Sequence, residues 1–597
     1  MNFREFLKYV LIVIISSLAT LGILFFLFYL SLLGLASGLQ HLSDDATVKT
    51  VKRNTVLELR LDYPVQEYND NPFQNFDPVT FKFKPTLTLR QIIEAIDMAA
   101  DDPNIKGLLI HPGLIQAGSE HLEEISQAVE EFAASGKPVA SYGEIYSQKG
   151  YYLATAAQNP LFIHPMGTLD WRGLAAQVFF YKDLLDKLGI RMQVVRAGKF
   201  KSAVEPFIQD SMSPANRQQL KILLHDVWDT YVRDIEKRRR LSRPLLDSAA
   251  ESLRFVTARD WQNAGFFDNV VSQSEMIDLL KDLTGTEDDI HFMNETDYYY
   301  KKRLGKLFDK GLLQNKIAVL LAEGEIVDGE GERNQIGADR MKKLIRKIRR
   351  DDEIKAVVLR INSPGGSALA SELIWEELKK LTETKPLIVS MGNVAASGGY
   401  YIATPADYIF AGETTVTGSI GVFGLIPDMH DFFENKLRIR IDTVKTHAHA
   451  DMGIFRPLDE KEKAYFQKSV QHVYQTFLER VAEGRNMGIA QADSLGQGRV
   501  WSGKRAVQLG LADETGDLQA AVKHAALAAG LSDYEIKYFP KSETSFFEIF
   551  SVNEAAAYLK NRWIKNLLGT EFMPLPHPSR KQIMARMPFD LKWTGND

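Results

Sequence analysis

The chain has 597 residues, 45% of them hydrophobic and 25% charged, which is too long for one ordinary domain and too apolar for a disordered chain. A net charge of −5 gives no reason to expect a nucleic-acid partner. The absence of cysteine excludes disulfides, thiolate metal sites and a cysteine nucleophile.

In chain order, the first element is apolar. Residues 9–36 carry no charge. As a helix they exceed the roughly 20 residues that cross a bilayer. A cleaved signal peptide needs an apolar region of only about 7–15 residues, so a retained transmembrane anchor is the expectation. Arg4 and Lys8 precede it, and Asp44 and Asp45 follow. The positive-inside rule then leaves residues 1–8 in the cytoplasm and sends the body across the membrane, although Lys49, Lys52 and Arg53 weaken the bias. No later segment is apolar and long enough to span.

Beyond the anchor two regions read alike. IKGLLIHPG (105–113) and KPVASYGEIYSQKGYYLATAAQNPLFI (137–163) are answered by IKAVVLRINSPGG (354–366) and KPLIVSMGNVAASGGYYIATPADYIF (385–410). Ile105 against Ile354, Tyr151 against Tyr400 and Ile190 against Ile439 keep one offset of 249 residues. This is a duplicated domain rather than a short solenoid repeat. The expected divisions are 37–305 for the N-terminal repeat, 306–541 for the C-terminal repeat and 542–597 for an amphipathic, proline-containing tail. In each repeat short β-rich runs such as KAVVLRIN and KPLIVSM alternate with helical patterns such as MKKLIRKIRRD and LASELIWEELKKL. That alternation predicts an α/β fold with mainly parallel sheets. The basic runs 301–303 and 346–350 stand among acidic neighbours and read as solvated helix faces. The tail is expected to pack on the body, with contact to the membrane surface as the other option.

The two copies differ where chemistry would sit. At the common offset Ser397 faces Gln148; the Ser363-Pro364-Gly365-Gly366 loop answers His111-Pro112-Gly113-Leu114 with a shift of three residues from that offset. Lys201 faces Ala450, and Lys199 faces Ala448. One repeat keeps a candidate nucleophile and the other a candidate base, as expected if one site is built across both. A serine needs an adjacent base to become a useful nucleophile. A lysine can serve once burial lowers its pKa from about 10.4. Backbone N–H groups at the helix start after Ser397 and in the glycine loop could hold an oxyanion. Two positions apart, Lys199 and Lys201 would point the same way in an extended segment, so sequence does not rank them. His447 and His449 suggest a metal, but no third ligand has a recognisable spacing. A Ser-His-Asp triad has no marked histidine among the twelve.

INSPGG (361–366), AASGGYYIA (395–403), TGSIGVFG (417–424) and KSAVEPF (201–207), with the anchor and the duplication, resemble the signal peptide peptidase A family in its long, tandem, membrane-anchored Gram-negative form. The resemblance runs from about residue 9 to about residue 540. It implies a Clp-protease-like or crotonase-like fold in each repeat and a Ser-Lys dyad. By motif, Ser397 is then the nucleophile, Lys201 the general base and Ser419 the residue that orients the lysine. Gly365, Gly366 and Gly398 supply the oxyanion hole. It also implies a homotetramer on the periplasmic face of the inner membrane, held in the bilayer by residues 9–36, which cuts remnant signal peptides without a cofactor. An acyl-CoA enzyme of the same fold, such as a hydratase, and a non-catalytic membrane scaffold are the alternatives.

Overall fold

A computed structural model describes residues 51–68, 76–77, 82–83, 86–158, 160–306, 315–540 and 583–586. The expected anchor at 9–36 and most of the tail lie outside the described residues. Among the described residues no helix is long and apolar enough to cross a membrane.

Each repeat folds around a parallel sheet. In the first, the strands run in the spatial order Asn269–Val270, Leu161–Leu169, Val139–Tyr146, Ile105–Ile110, Thr55–Leu59, His291–Asn294, all paired in parallel. The second follows the same path through Glu514–Thr515, Tyr408–Ala411, Leu387–Ala396, Ile354–Ser363, Lys316–Glu323 and Glu535–Phe539, again in parallel. Val416–Gly418 also pairs in parallel with Leu387–Ala396, and Val500–Ser502 adds an antiparallel edge.

Alternating side chains set the two faces of the second sheet. Ala318, Leu320, Val357, Leu359 and Val389 pack into one core, and Ile317, Val319, Ala356, Val358 and Ile388 into another. Burial on both faces explains the unbroken apolar runs. The basic run 346–350 closes helix Ala338–Arg350, which buries Met341, Ile345 and Ile348 and pairs Arg346 with Glu377 at 2.8 Å on its outer side.

Several features join the repeats, two of them extensive. The first is a third sheet, ordered Gln335–Gly337, Glu325–Val327, Gly365–Ser367, Ile583–Arg586, Val422–Asp428, Arg191–Ala197. Its last pairing is antiparallel and brings a strand of the first repeat onto the second, with Ala197 opposite Val422. Its fourth strand comes from the tail.

The second feature is a buried ion cluster. Arg360, wholly buried in the second repeat, donates from Nε to Glu67 Oε1 at 2.7 Å. It also donates to Glu120 at 3.1 and 3.2 Å and pairs with Glu124 at 2.9 Å. Burial alone would raise the Glu67 pKa, but Arg360 and His121 hold it at about 2. Glu120 is pushed up instead, by burial and by Glu124 and Glu67, against the pull of Arg360.

Candidate active site

Strand Leu387–Ala396 runs directly into Ser397, which stands outside helix Gly398–Ala403 as its cap residue with φ 56° and ψ −115°. Positive φ is costly for a residue with a Cβ. Neighbouring backbone fixes this one: the Ser397 N–H donates to Gly418 O at 2.8 Å, and its carbonyl accepts from Tyr401 N–H at 2.8 Å. Its hydroxyl caps nothing in the helix. The next turn presses on the glycine loop, since a Cβ at Gly399 would lie 2.8 Å from Ser363 O. Gly398, as the first helical residue, has its N–H outside the helix's own ladder. The Gly365 N–H donates to Ser363 Oγ at 3.2 Å.

The lysine arrives from the other repeat. Lys201 is wholly buried, with Nζ 2.7 Å from Ser397 Oγ and 3.0 Å from both the carbonyl and the hydroxyl oxygen of Ser419. Burial holds its pKa well below the ordinary lysine value. Desolvation of this kind favours the neutral amine, the form that carries a lone pair. Ser419 is held by its own N–H, which donates to Arg499 O at 2.7 Å.

The position of Lys201 follows from the shared ladder. Ala197 pairs with Val422, so four residues beyond one end and three before the other bring Lys201 and Ser419 together. Between Ala197 and Lys201 the chain turns. Phe200 N–H donates to Gln497 O at 2.7 Å, and Lys199 N–H to Gln497 Oε1 at 3.2 Å. Because this segment is a turn and not extended, the two lysines diverge. Lys199 is exposed, its ammonium 5.7 Å from the Phe200 ring centre, while Lys201 enters the core. Gly498 backs the lysine so closely that an added Cβ would lie 2.6 Å from Lys201 Cβ.

A polar network pins the segment after Lys201. Gln219 Nε2 donates to Phe200 O at 3.2 Å and to Ser202 Oγ at 3.0 Å. Ser202 Oγ donates to Asn216 Oδ1 at 3.0 Å, and Asn216 Nδ2 to Glu205 Oε2 at 3.0 Å. Sequence reasoning did not single out Gln219, Asn216 or Gly498. Nothing local marks them, because their partners are remote in the chain. His447 and His449 are elsewhere, on the exposed stretch 437–450. His449 Nδ1 lies 2.9 Å from Glu462 Oε1, and the same carboxylate takes Arg456.

The sequence profile of peptidase family S49 matches residues 131–287 and again 379–532, one match in each repeat. The chain belongs to peptidase family S49. This S49 chain is 36% identical over 471 residues to "Protease 4" of Haemophilus influenzae, covering 76% of each chain. It is 33% identical over 508 residues to "Serine protease SPPA, chloroplastic" of Arabidopsis thaliana, covering 82% of this chain and 74% of that one. Among solved structures, a ClpP1 variant from Listeria monocytogenes aligns with 34% of the chain at 16% identity and a TM-score of 0.24. The family, the tandem arrangement and the serine peptidase class of this S49 protein are therefore those the sequence motifs suggested.

Proposed function

We propose that this S49 peptidase is a membrane-anchored serine endopeptidase with a Ser397–Lys201 dyad, acting on cleaved signal peptides and other apolar peptides at the inner membrane. One observation carries the reading: a fully buried lysine amine, its pKa lowered by burial, sits 2.7 Å from a serine hydroxyl that caps nothing. Lys201 Nζ takes the Ser397 Oγ proton as Oγ attacks the peptide carbonyl carbon. The N–H of Gly398 and those of the Gly365–Gly366 loop hold the oxyanion; Gly365 serves by giving up Ser363 Oγ. The C–N bond then breaks, the Lys201 ammonium gives its proton to the leaving nitrogen, and an acyl-serine remains. Water, with its proton taken by the same amine, attacks the acyl carbon; the ester C–Oγ bond breaks, Ser397 Oγ regains a proton from the Lys201 ammonium, and the new carboxylic acid leaves. Ser419 keeps the amine aimed at Ser397 throughout. Residues 9–36 tether the body to the bilayer, the catalytic body faces the periplasm, and four copies assemble.

The test is hydrolysis of a fluorogenic apolar peptide by the detergent-solubilised full chain, wild type against Lys201→Met. Loss of about 10³-fold or more in kcat by a folded variant is expected. Retained activity would hand the base role to another group. Acylation of Ser397 by a serine-directed reagent separates this reading from an acyl-CoA enzyme, which needs no nucleophilic serine.

A further inference from the structure

The long helix of each repeat ends in a different way. Helix Pro214–Arg239 of the first repeat matches helix Glu460–Gly484 of the second, with Arg239 in the place of Arg485. Both arginines do the same structural work, pairing with Asp268 and with Asp513. Around them the copies part. Lys237, Arg238 and Arg240 stand where the second repeat has Glu483, Gly484 and Asn486. In the second repeat this corner is closed. An added Cβ at Gly484 would lie 1.9 Å from Thr404 O, and Glu483 pairs with Lys379 at 2.7 Å. In the first repeat it is open: Lys237, Arg238, Arg239 and Arg240, with Glu130 and Gln158, line a cavity of about 500 Å³.

The fold does not use up these cations. The Arg238 side chain is only 10% exposed and is held in place. Its Nε donates to Glu130 Oε1 at 2.6 Å, and its guanidinium carbon lies 5.0 Å from the Tyr152 ring centre. Yet its Nη1 is buried without a hydrogen-bond partner, which is costly for a charged donor. Arg240 follows the helix with φ 55° and ψ 29°, a left-handed conformation that glycine and asparagine take most readily. The second repeat has asparagine there, also with positive φ. Cations near a helix C-terminus do complement its dipole. That benefit needs neither a left-handed arginine nor a buried nitrogen without an acceptor, and the last turn of the second repeat's helix has no basic residue.

Charge and shape select the ligand. Asp268 balances Arg239, and Glu130 offsets one of the other three cations. The two positive charges that remain suit a dianion better than a single carboxylate. A phosphate monoester carries close to two negative charges near neutral pH, and guanidinium groups bind phosphate oxygens through paired N–H donors.

We propose that this corner of the first repeat binds a phosphate monoester group, with Arg238 as the fixed donor and Lys237 and Arg240 reaching its outer oxygens. The group belongs either to a small soluble ester or to a lipid headgroup. The proposal stands apart from the peptidase reading, since neither Ser397 nor Lys201 takes part in it.

The test is isothermal titration calorimetry on the full-length chain in an uncharged detergent and a phosphate-free buffer of fixed ionic strength. The probes are glycerol 3-phosphate and dihexanoyl phosphatidic acid, which share the phosphomonoester and differ in the acyl chains. Arg240→Asn installs the residue of the second repeat, so it should fold at least as well as wild type and weaken binding of both probes about tenfold. Lys237→Glu should weaken it at least as much, and Arg238→Met should remove it; the first two variants carry the test if Arg238→Met does not fold. Equal affinity for the two probes supports the site and assigns it to a soluble ester. A lipid probe that binds about tenfold tighter or more, with the same loss in Arg240→Asn, supports the site and assigns it to a headgroup. The proposal is overturned if neither probe binds at about 10 mM, or if Arg240→Asn and Lys237→Glu bind both probes as wild type does.

Discussion

The same strand-to-helix junction occurs twice in this chain, and the two copies are built to different ends. In the first repeat, helix Gln148–Ala154 starts from Ser147, which has an ordinary extended backbone; its hydroxyl accepts from Gly150 N–H and donates to Gly113 O. Gln148 joins the helix, and its Oε1 accepts the N–H groups of Arg172 and Gly173. In the second repeat the helix starts one step later, and Ser397 is left outside it with positive φ and no capping role. Other fittings are shared. Tyr151 and Tyr400 each donate to a backbone carbonyl, of Phe266 and Leu511. Arg239 pairs with Asp268 as Arg485 does with Asp513. Duplication has kept the architecture in both copies. The first has a locally satisfied junction where the second keeps strain and a hydroxyl with no capping role, and the first contributes Lys201 to that hydroxyl across the shared ladder.

The largest effect should come from the residues that separate the copies. Lys201→Met is expected to abolish hydrolysis yet raise thermal stability. The folded state lowers the lysine pKa, so below its unfolded value near 10.5 the unfolded chain binds the extra proton. Wild type therefore loses stability as pH falls from about 10.5 towards the folded pKa, while Lys201→Met carries no such penalty. Thermal melts should place the variant above wild type at pH 7, with the gap closing at high pH. A variant that melts lower at pH 7 would mean the amine contributes to the fold rather than costing it. By the same titration, wild-type hydrolysis should fall on acidification through a pKa well below that of a free lysine, as the amine gains its proton.

A second prediction concerns what holds the copies in register. Arg360 binds carboxylates of the first repeat from a strand of the second, with every partner buried. Arg360→Leu removes the guanidinium that those carboxylates share and should cost about 3–5 kcal/mol of stability in denaturant melts. Joint replacement of Arg360, Glu67 and Glu120 by apolar residues should recover much of that loss. A single Arg360→Leu that melts like wild type would show that the repeats do not depend on this cluster.

Ser419→Ala is a smaller change at the site itself. It removes one of three oxygens around Lys201 Nζ and leaves the Ser419 carbonyl in place. A lost buried hydrogen bond of about 1–3 kcal/mol corresponds to roughly a 5- to 160-fold fall in kcat. KM should stay nearly constant, because the hydroxyl touches the lysine and not the peptide. Ser419→Thr, which keeps a hydroxyl, should recover part of the rate.

How much of this could be read beforehand depends on whether the cause was local. Parallel strands were legible in the runs 355–362 and 385–391, because burial on both faces leaves a continuous apolar pattern. The complementary loss of serine in one repeat and lysine in the other was legible by alignment of the chain with itself. The choice between Lys199 and Lys201 was not. It depends on a turn held by Gln497, nearly three hundred residues away, where spacing alone suggested an extended segment. Nothing in KAVVLRIN singles out Arg360, because its three carboxylates lie in another domain. The tail strand was equally hidden, since four residues gain strand structure only from the two edges they join.

The smallest expected effect is the sharpest probe of the comparison. Gln148→Ser restores to the first repeat the residue type that the second uses, at the matching position. It should create no second active site. Position 148 lies inside its helix, not at a strained cap, and Lys201 is already committed to Ser397. The variant should instead lose about 1 kcal/mol, because the N–H groups of Arg172 and Gly173 lose the glutamine oxygen. In a Ser397→Ala background, Gln148→Ser should therefore leave peptide hydrolysis at zero. Measurable turnover there would mean that a serine at this junction suffices, and that neither the backbone strain at 397 nor the borrowed lysine is what sets the second repeat apart.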